Sequence, residues 1–469
     1  MEWLAAVIVR RWVWVLGGWF VILALIHQIA PPWDRITRDG DFAYLPPEMT
    51  SVQGERLLDA AFPEGLSKSQ VAIVAARADG PLNAFDFAVA DRLEQLLTPQ
   101  PGQPSPITHL WSYQSEIVGR RLMRDSSQGG QAVLLVAHLK TEFMAIENMR
   151  LLRCIQRAAE AVQLEQILVQ ALQQQQESRR TLREWERKYL RGNSPSGTTA
   201  ELWTPWTEQQ EELRKALVAY CQWFRGTSPQ ESPLVEGAWA DLADAAYTTA
   251  QTDLADLIRQ ADQLRSQPAD RQAADWPALL QKQEHTISNL ETLQKSAGRL
   301  LELMFQLAVT AAYSLDAVPP PIQTELAGLR QTFQQLAELL PPENRLDRPI
   351  RSPAQAAAAS PSGLQIGLTG SAAVGSDMLF ASWESIRNTE WVTVVLVVLV
   401  LLLVYRAPGL VLIPLAAIVV SMVLATDLVA LAWLACQKLG WEFMVFKTTR
   451  IFIVVLVFGA GTDFCLFLI

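Results

Sequence analysis

Four long apolar runs, almost free of charged residues, interrupt an otherwise polar chain. The runs cover residues 13–29, 392–405, 410–436 and 451–469. A helix needs about 20 apolar residues to cross roughly 30 Å of hydrocarbon, and three of the runs meet or nearly meet that length. The run 392–405 is shorter, but Trp391 and Arg406 flank it, and both residue types are common at a membrane interface. The pattern therefore predicts four membrane-spanning helices.

The first apolar run follows Arg10 and Arg11, an arrangement that also begins secretory signal peptides. Its apolar stretch of about 17 residues is longer than the core of a signal peptide, and no small-residue cleavage site precedes Pro31 and Pro32. We therefore expect an uncleaved helix. Because basic residues stay on the cytoplasmic side, we expect a cytoplasmic N-terminus in the inner membrane and an extracytoplasmic position for residues 31–389.

Within the polar region between the first two apolar runs, strand-like and helix-like periods alternate. β-Branched or alternating stretches that predict strands cover residues 70–77, 107–113, 131–140 and 363–369. A helical period covers residues 83–97, and a second helix is predicted to begin near Thr141. Strand, helix, strand, strand, helix, strand is the order of a ferredoxin-like α+β unit. We therefore predict such a unit outside the membrane.

About 200 residues separate the second predicted helix from the last strand, and nearly all of them have a helical pattern. Apolar residues at alternating spacings of three and four form one seam over residues 290–311 and a second over 322–340. Thr207 and Gln210 have the spacing of a capping box, which predicts a helix beginning there and burying Leu213 and Leu217. These seams predict a helical bundle or coiled-coil insertion.

The patterns together predict an α-helical multi-pass membrane protein with five consecutive regions. They are a first transmembrane helix (1–30), the first part of the ferredoxin-like subdomain (31–141), the helical insertion (142–346), a linker with the return strand (347–389), and transmembrane helices two to four (390–469).

Composition narrows the function. A net charge of −9 argues against nucleic acid as a partner, because phosphate binding needs a basic surface. The four cysteines and four histidines show no metal-binding spacing, although Cys154 and Cys221 leave a disulfide open. No phosphate-binding loop and no nucleophile–base constellation is present. We therefore expect no enzymatic activity, no metal and no cofactor.

The sharpest functional candidate is Asp463, the one charged residue in the run 451–469. A carboxylate near the centre of a bilayer costs about 2.5 kcal/mol or more, and such residues usually face the interior of a helix bundle and act in ion or proton pathways. We predict that Asp463 relays protons, the alternative being a hydrogen-bonded packing contact. Gly459 and Gly461 allow a neighbouring helix to approach closely. Asp427, in the third run, is a weaker candidate that we expect to reach water at the outer interface.

Several segments resemble the MmpL branch of the resistance-nodulation-division (RND) transporters. The segment 459–469 is similar to the family's fourth transmembrane helix. The segments 42–46 and 62–65 are similar to the outer segment that follows the family's first helix. The segment 368–377 is similar to the family's return to its second helix. The resemblance implies that Asp463 is the relay acid. Phe464 stands where the family usually has Tyr, and Thr462 is the residue that would substitute for the missing hydroxyl.

The resemblance also implies proton-driven export of a lipid or another hydrophobic substrate, with membrane lipids around the protein and a homo-oligomer as one further association. Because the chain stops at Ile469, inside an apolar run, we expect a longer protein whose C-terminal half supplies a partner acid. The rival hypothesis is a membrane-anchored scaffold that does not transport and whose outer helical region binds a partner protein.

Overall fold

The structure is a computed structural model. It describes residues 12–38, 48–62, 67–78, 80–99, 105–125, 131–190, 199–226, 233–267, 269–310, 320–338, 360–405 and 408–441, with 443, 445, 446, 449, 452–454, 456, 457, 459 and 460. The chain divides into two compact units. The membrane unit combines Met1–Ala60 with Asp377–Ile469, and the outer unit comprises Ala61–Ser376.

Helices and strands alternate at both ends of the chain, and helices alone fill its middle. The N-terminal part contains α1 (Trp12–Ile29), α2 (Trp33–Ile36), β1 (Thr37–Arg38), α3 (Thr50–Ala61), β2 (Ser69–Arg77), α4 (Ala84–Leu97), β3 (Ile107–Trp111), β4 (Met123–Asp125) and β5 (Gln131–Leu139). The helical region contains α5 (Ile146–Trp185), α6 (Thr199–Gly226), α7 (Pro233–Thr249), α8 (Ala255–Arg265), α9 (Ala269–Thr310) and α10 (Pro320–Ala337). The C-terminal part contains β6 (Gln365–Thr369), α11 (Ser371–Tyr405), α12 (Pro408–Lys438) and β7 (Val445–Phe446).

The outer unit contains an antiparallel sheet in the order β3-β5-β2-β6, with the short β4 paired to β5. Its two central strands alternate between buried and partly exposed residues, as a sheet covered on one face requires. Ile73, on β2, faces Leu135 on one side and Leu368 on the other. Ile73 and Leu135 are fully buried and belong to the same apolar core as residues of α4 and α5. Apart from the short strand β4, which was not predicted, the strands and helices of this sheet follow the predicted order.

The turn from β6 into α11 depends on a glycine. Gly370 has φ of +105°, a conformation that side chains other than that of glycine rarely adopt. A Cβ atom at this position would lie 2.5 Å from the carbonyl oxygen of Gln70 on β2. The backbone N–H of Gln70 donates to the hydroxyl of Ser371, 3.0 Å away, directly after this turn. The start of α11 is thus fixed to the edge of the sheet.

The helical region from α5 to α10 packs around the two predicted seams. In the first seam, every described member from Leu290 to Leu307 is buried, and in the second, Leu326 and Phe333 are buried. The predicted capping box at Thr207 is wrong, because α6 begins at Thr199 and the Thr207 hydroxyl donates to the carbonyl of Trp203, 3.0 Å away. Thr207 therefore lies inside a helix, and the sequence signal for a helix start was accidental.

In the membrane unit, Ala416–Lys438 of α12 is long and apolar enough to cross a membrane, and no other helix among the described residues passes this test of length and composition. The apolar runs 13–29 and 392–405 lie within α1 and α11. The linker and return segment was predicted to extend to residue 389, whereas α11 already begins at Ser371. Its first turns are rich in Ala and Ser and lack the unbroken apolar pattern of the run that follows.

Candidate functional site

The acid that the sequence singled out, Asp463, lies outside the described residues, as do Gly461, Thr462 and Phe464. Gly459 is described: it is helical and exposed, and a Cβ added there would meet no atom within 4 Å. The role of Gly459 in helix packing stays a prediction. The relay role of Asp463 stays a prediction.

The described part of the membrane unit contains a polar pair instead. The Nδ1 atom of His27, in the last turn of α1, lies 3.0 Å from the Oδ2 atom of Asp427 on α12. Asp427 is largely covered, with 13% of its side chain exposed, whereas the His27 side chain is 72% exposed. An imidazole N–H at this distance donates to the carboxylate, and a protonated imidazole forms an ion pair with it.

A small sheet and an apolar cluster position this pair. Pro31 and Pro32 follow α1, where the missing backbone N–H groups end the helix. The chain then forms α2 and β1, and β1 pairs in parallel with β7, with Thr37 opposite Val445. Ile36, Ala430 and Val445 are buried together beside these strands. The segment that leaves α1 is therefore held against α12, which brings His27 to Asp427.

The pair lies at a cavity of about 310 Å³. The residues that line it are His27, Ala30, Pro31, Pro32, Trp33, Thr426, Asp427 and Ala430. The hydroxyl of Thr426 donates to carbonyls of its own helix, 2.8 Å from that of Val423 and 3.1 Å from that of Met422, so it is already satisfied. His27 and Asp427 are the titratable members of this lining.

Sequence reasoning missed this contact. It treated His27 as an ordinary histidine and expected Asp427 to reach water by itself, whereas the structure pairs the two residues. The available signal was weak but physical: each is a polar residue in or beside an apolar run, and such residues usually have partners. Their separation of 400 residues leaves no local pattern that identifies one as the partner of the other.

The outer unit holds its buried acids differently. The Asp86 carboxylate accepts hydrogen bonds from Arg77 Nε at 2.5 Å and Nη2 at 3.1 Å. It also accepts from the backbone N–H of Asn83 at 2.9 Å, as part of the capping box of α4. Glu165 on α5 accepts from Arg92 Nε at 3.0 Å. Burial raises the pKa of Glu165, and the hydrogen bond and the charge of Arg92 oppose that rise.

The cysteines of the outer unit do not form the disulfide that the sequence left open. Cys154 and Cys221 are both buried, and neither is in a disulfide. Burial raises the pKa of the Cys221 thiol, which keeps it neutral and unreactive. Among the described residues, no group of three or more His, Cys, Asp or Glu side chains is placed to hold a metal ion.

Comparison with known proteins places the similarity in the C-terminal part of the chain. Residues 344–469, which contain α11, α12 and Asp463, match the model of the MMPL family. The putative membrane protein YdgH of Bacillus subtilis (strain 168) is 28% identical over 109 residues, which are 23% of this chain and 12% of that protein. The probable transport protein MmpL8 of Mycobacterium bovis (strain ATCC BAA-935 / AF2122/97) is 36% identical over 106 residues, which are 23% of this chain and 9% of that protein.

These matches confirm the resemblance to MmpL-type RND transporters. They also support a membrane location. The matched stretch spans about a tenth of the length of each curated relative.

Proposed function

We propose that this chain is part of a proton-driven exporter of lipids or other hydrophobic compounds in the cytoplasmic membrane. The observation that carries the proposal is the MMPL family match over residues 344–469, because this segment includes both the apolar helices and the intramembrane acid Asp463. The substrate class comes from the family resemblance. The energy source follows from the acid, since a titratable group inside an apolar run can carry a proton across the membrane.

The architecture proposed for this function has four membrane spans and a ferredoxin-like outer subdomain with a helical insertion. The antiparallel sheet order β3-β5-β2-β6, with α4 and α5 packed against one face, supports the ferredoxin-like arrangement. The pairing of β1 with β7 supports parallel α1 and α12, because it joins the segments that follow these two helices. Two parallel spans fit a cytoplasmic N-terminus with an outer region between the first and second spans.

Asp463 is the residue on which this mechanism depends. A carboxylate among apolar side chains is costly when charged, so it takes up a proton where water reaches it and releases the proton where the environment favours the charge. The exporter would couple these two states to two arrangements of its helices. Phe464 supplies no hydroxyl to such a relay, and Thr462 is the nearby side chain that does.

The test uses the complete transporter in lipid vesicles with an imposed proton gradient and a fluorescent phospholipid analogue as the probe. Asp463→Asn should reduce gradient-dependent export to background while membrane insertion stays normal, because Asn keeps the shape but does not titrate. Asp463→Glu should keep part of the activity, and Phe464→Tyr should be tolerated. Glu384→Gln, which alters an exposed acid of α11, is the matched control and should export normally. Wild-type export by the Asn variant would reject proton coupling through Asp463.

The second candidate is a scaffold that does not transport, and the observation that favours it is the extent of the helical region. Helices α5 to α10 extend from Ile146 to Ala337, enough chain for a separate binding role. The complete reading frame distinguishes the two candidates. A second set of membrane spans with its own buried acid favours the exporter, whereas its absence, together with unaffected export in Asp463→Asn, favours the scaffold.

A further inference from the structure

The His27–Asp427 pair lies beside an apolar cluster. Ile36, Ala430 and Val445 are buried together at this corner of the membrane unit. Asp427 lies eleven residues before Lys438, the last residue of α12, which is roughly 16 Å along the helix axis. A carboxylate this far into an apolar helix is costly, and such residues usually have a function.

The charged groups near the pair are few. Among the residues that line the cavity, His27 and Asp427 are the two that titrate. Helix α2, which packs against α12, contributes Asp34 and Arg35 directly after Trp33 in the sequence. Lys438 lies at the far end of α12. The carboxylate of Asp427 therefore has a histidine as its hydrogen-bond partner, and histidine is the side chain that ordinarily changes charge between pH 5 and 8.

We propose that His27 and Asp427 together form a proton-binding site where α1 meets α12. The proton comes from bulk water through the cavity of about 310 Å³, on which the exposed imidazole borders. With the proton bound, the pair is an imidazolium beside a carboxylate, or an imidazole beside a carboxylic acid, and the titration belongs to the pair as a unit. Without the proton, a neutral imidazole donates one hydrogen bond to the carboxylate.

This site is separate from Asp463 and does not depend on the relay. It joins the first and third apolar runs, whereas Asp463 belongs to the fourth. Proton binding at His27–Asp427 changes the strength of the contact between α1 and α12, because an ion pair is stronger than a hydrogen bond between an ion and a neutral group. The packing of α1 against α12 can therefore change with the proton concentration on the side of the membrane where the pair lies.

The experiment counts protons taken up by the whole chain in lipid nanodiscs, titrated between pH 8 and pH 5 with a pH-sensitive dye. His27→Gln should take up about one proton fewer per protein in this range, because the imidazole is lost while a hydrogen-bond donor remains. Asp427→Asn should move the corresponding uptake to lower pH, because the imidazolium then lacks the carboxylate beside it.

Two controls separate the pair from its surroundings. Thr426→Val changes the cavity lining without removing a titratable group, and its uptake curve should match that of the wild type. His285→Gln removes a histidine of the outer unit, and the shift caused by Asp427→Asn should persist in its presence. The persistence of that shift in an Asp463→Asn background keeps this inference distinct from the proposed relay. Unchanged uptake in His27→Gln, or a curve for Asp427→Asn that overlays the wild type, would overturn the inference.

Discussion

Two carboxylates, one in each unit, differ in the partner that each contacts. Asp86 in the outer unit has a fully buried side chain and accepts three hydrogen bonds, two from the guanidinium of Arg77 and one from the backbone of Asn83. Asp427 in the membrane unit is almost as well covered, but its partner is one imidazole nitrogen. The number and the kind of donors therefore separate the two acids more than their burial does.

This contrast identifies the acid that can respond to protons. Arginine stays charged at every pH that proteins meet, and its planar fork matches both carboxylate oxygens. The hydrogen bond to Asp86 raises the pKa of Arg77 further, against the opposing effect of its partial burial. The Arg77–Asp86 ion pair therefore joins β2 to α4 through a partner that does not change charge. A carboxylate paired with histidine has no such permanence, because its partner changes charge near neutral pH.

The largest expected effect comes from removing the carboxylate of Asp86. Asp86→Ala leaves Arg77 without this partner and removes the Asp86 half of the α4 capping box, so it should lower the local free energy of unfolding of β2 and α4 by about 3 kcal/mol. Hydrogen–deuterium exchange of these two segments in the whole chain measures the loss. Asp262→Ala, which removes an exposed ion pair with Arg265, should stay within about 0.5 kcal/mol. If the two substitutions lowered the free energy of unfolding equally, the buried Asp86 would contribute no more to stability than an exposed acid.

A smaller effect is expected from changing the donor while keeping its charge. Arg77→Lys retains the positive charge but loses the two-point contact with Asp86, so β2 and α4 should lose about 1 kcal/mol. The same exchange measurement detects it. If Arg77→Lys left the free energy of unfolding unchanged, the two-point geometry of the guanidinium would contribute nothing to stability. Asp86 would then differ from Asp427 only in the charge of its partner.

The smallest effect concerns Glu165, the third buried acid, whose side chain is 4% exposed. Burial raises its pKa above the ordinary value of 4.5, so between 4.5 and the raised pKa the folded state binds more protons than the unfolded state. The contribution of Glu165 to stability therefore falls as the pH rises through this range. Glu165→Gln should flatten that trend and change stability at pH 7 by about 1 kcal/mol or less. Urea unfolding followed by circular dichroism at several pH values measures both; an unchanged slope would contradict the assignment.

Much of the outer unit could be predicted because its signals are local. The strand predicted over residues 131–140 is β5, residues 131–139, and the helix predicted over 83–97 is α4, residues 84–97. Alternation of apolar residues and neighbouring turn residues are enough for such elements. The three-residue strand β4 and the helix α3 were missed, because β4 is too short to show a period and α3 is mostly polar and contains Gly54.

The candidate site was predictable only in part. Asp463 is visible in the sequence because one acid in an apolar run needs no partner to be noticed. The His27–Asp427 pair was not visible, because its meaning lies in a contact between residues 400 positions apart. Taken alone, His27 is a polar residue near the end of a helix and indicates no function. Only the pairing of β1 with β7, which no local pattern encodes, places it beside Asp427.

That pairing also has a consequence for the order in which the protein folds. Thr37 and Val445 are 408 positions apart, so the membrane unit cannot close until the chain has been made as far as β7. The outer unit is contiguous, and its pairing of β2 with β6 brings residues near 70 and 371 together. Once β2 and β6 have paired, the loop that β1 and β7 close consists of the 32 residues from Thr37 to Ser69 and the 74 from Ser371 to Val445. The effective loop is then 106 residues long in place of 408. The entropic cost of closing the membrane unit then falls by about 1 kcal/mol, so pairing of the outer sheet first makes the contact between β1 and β7 easier to form.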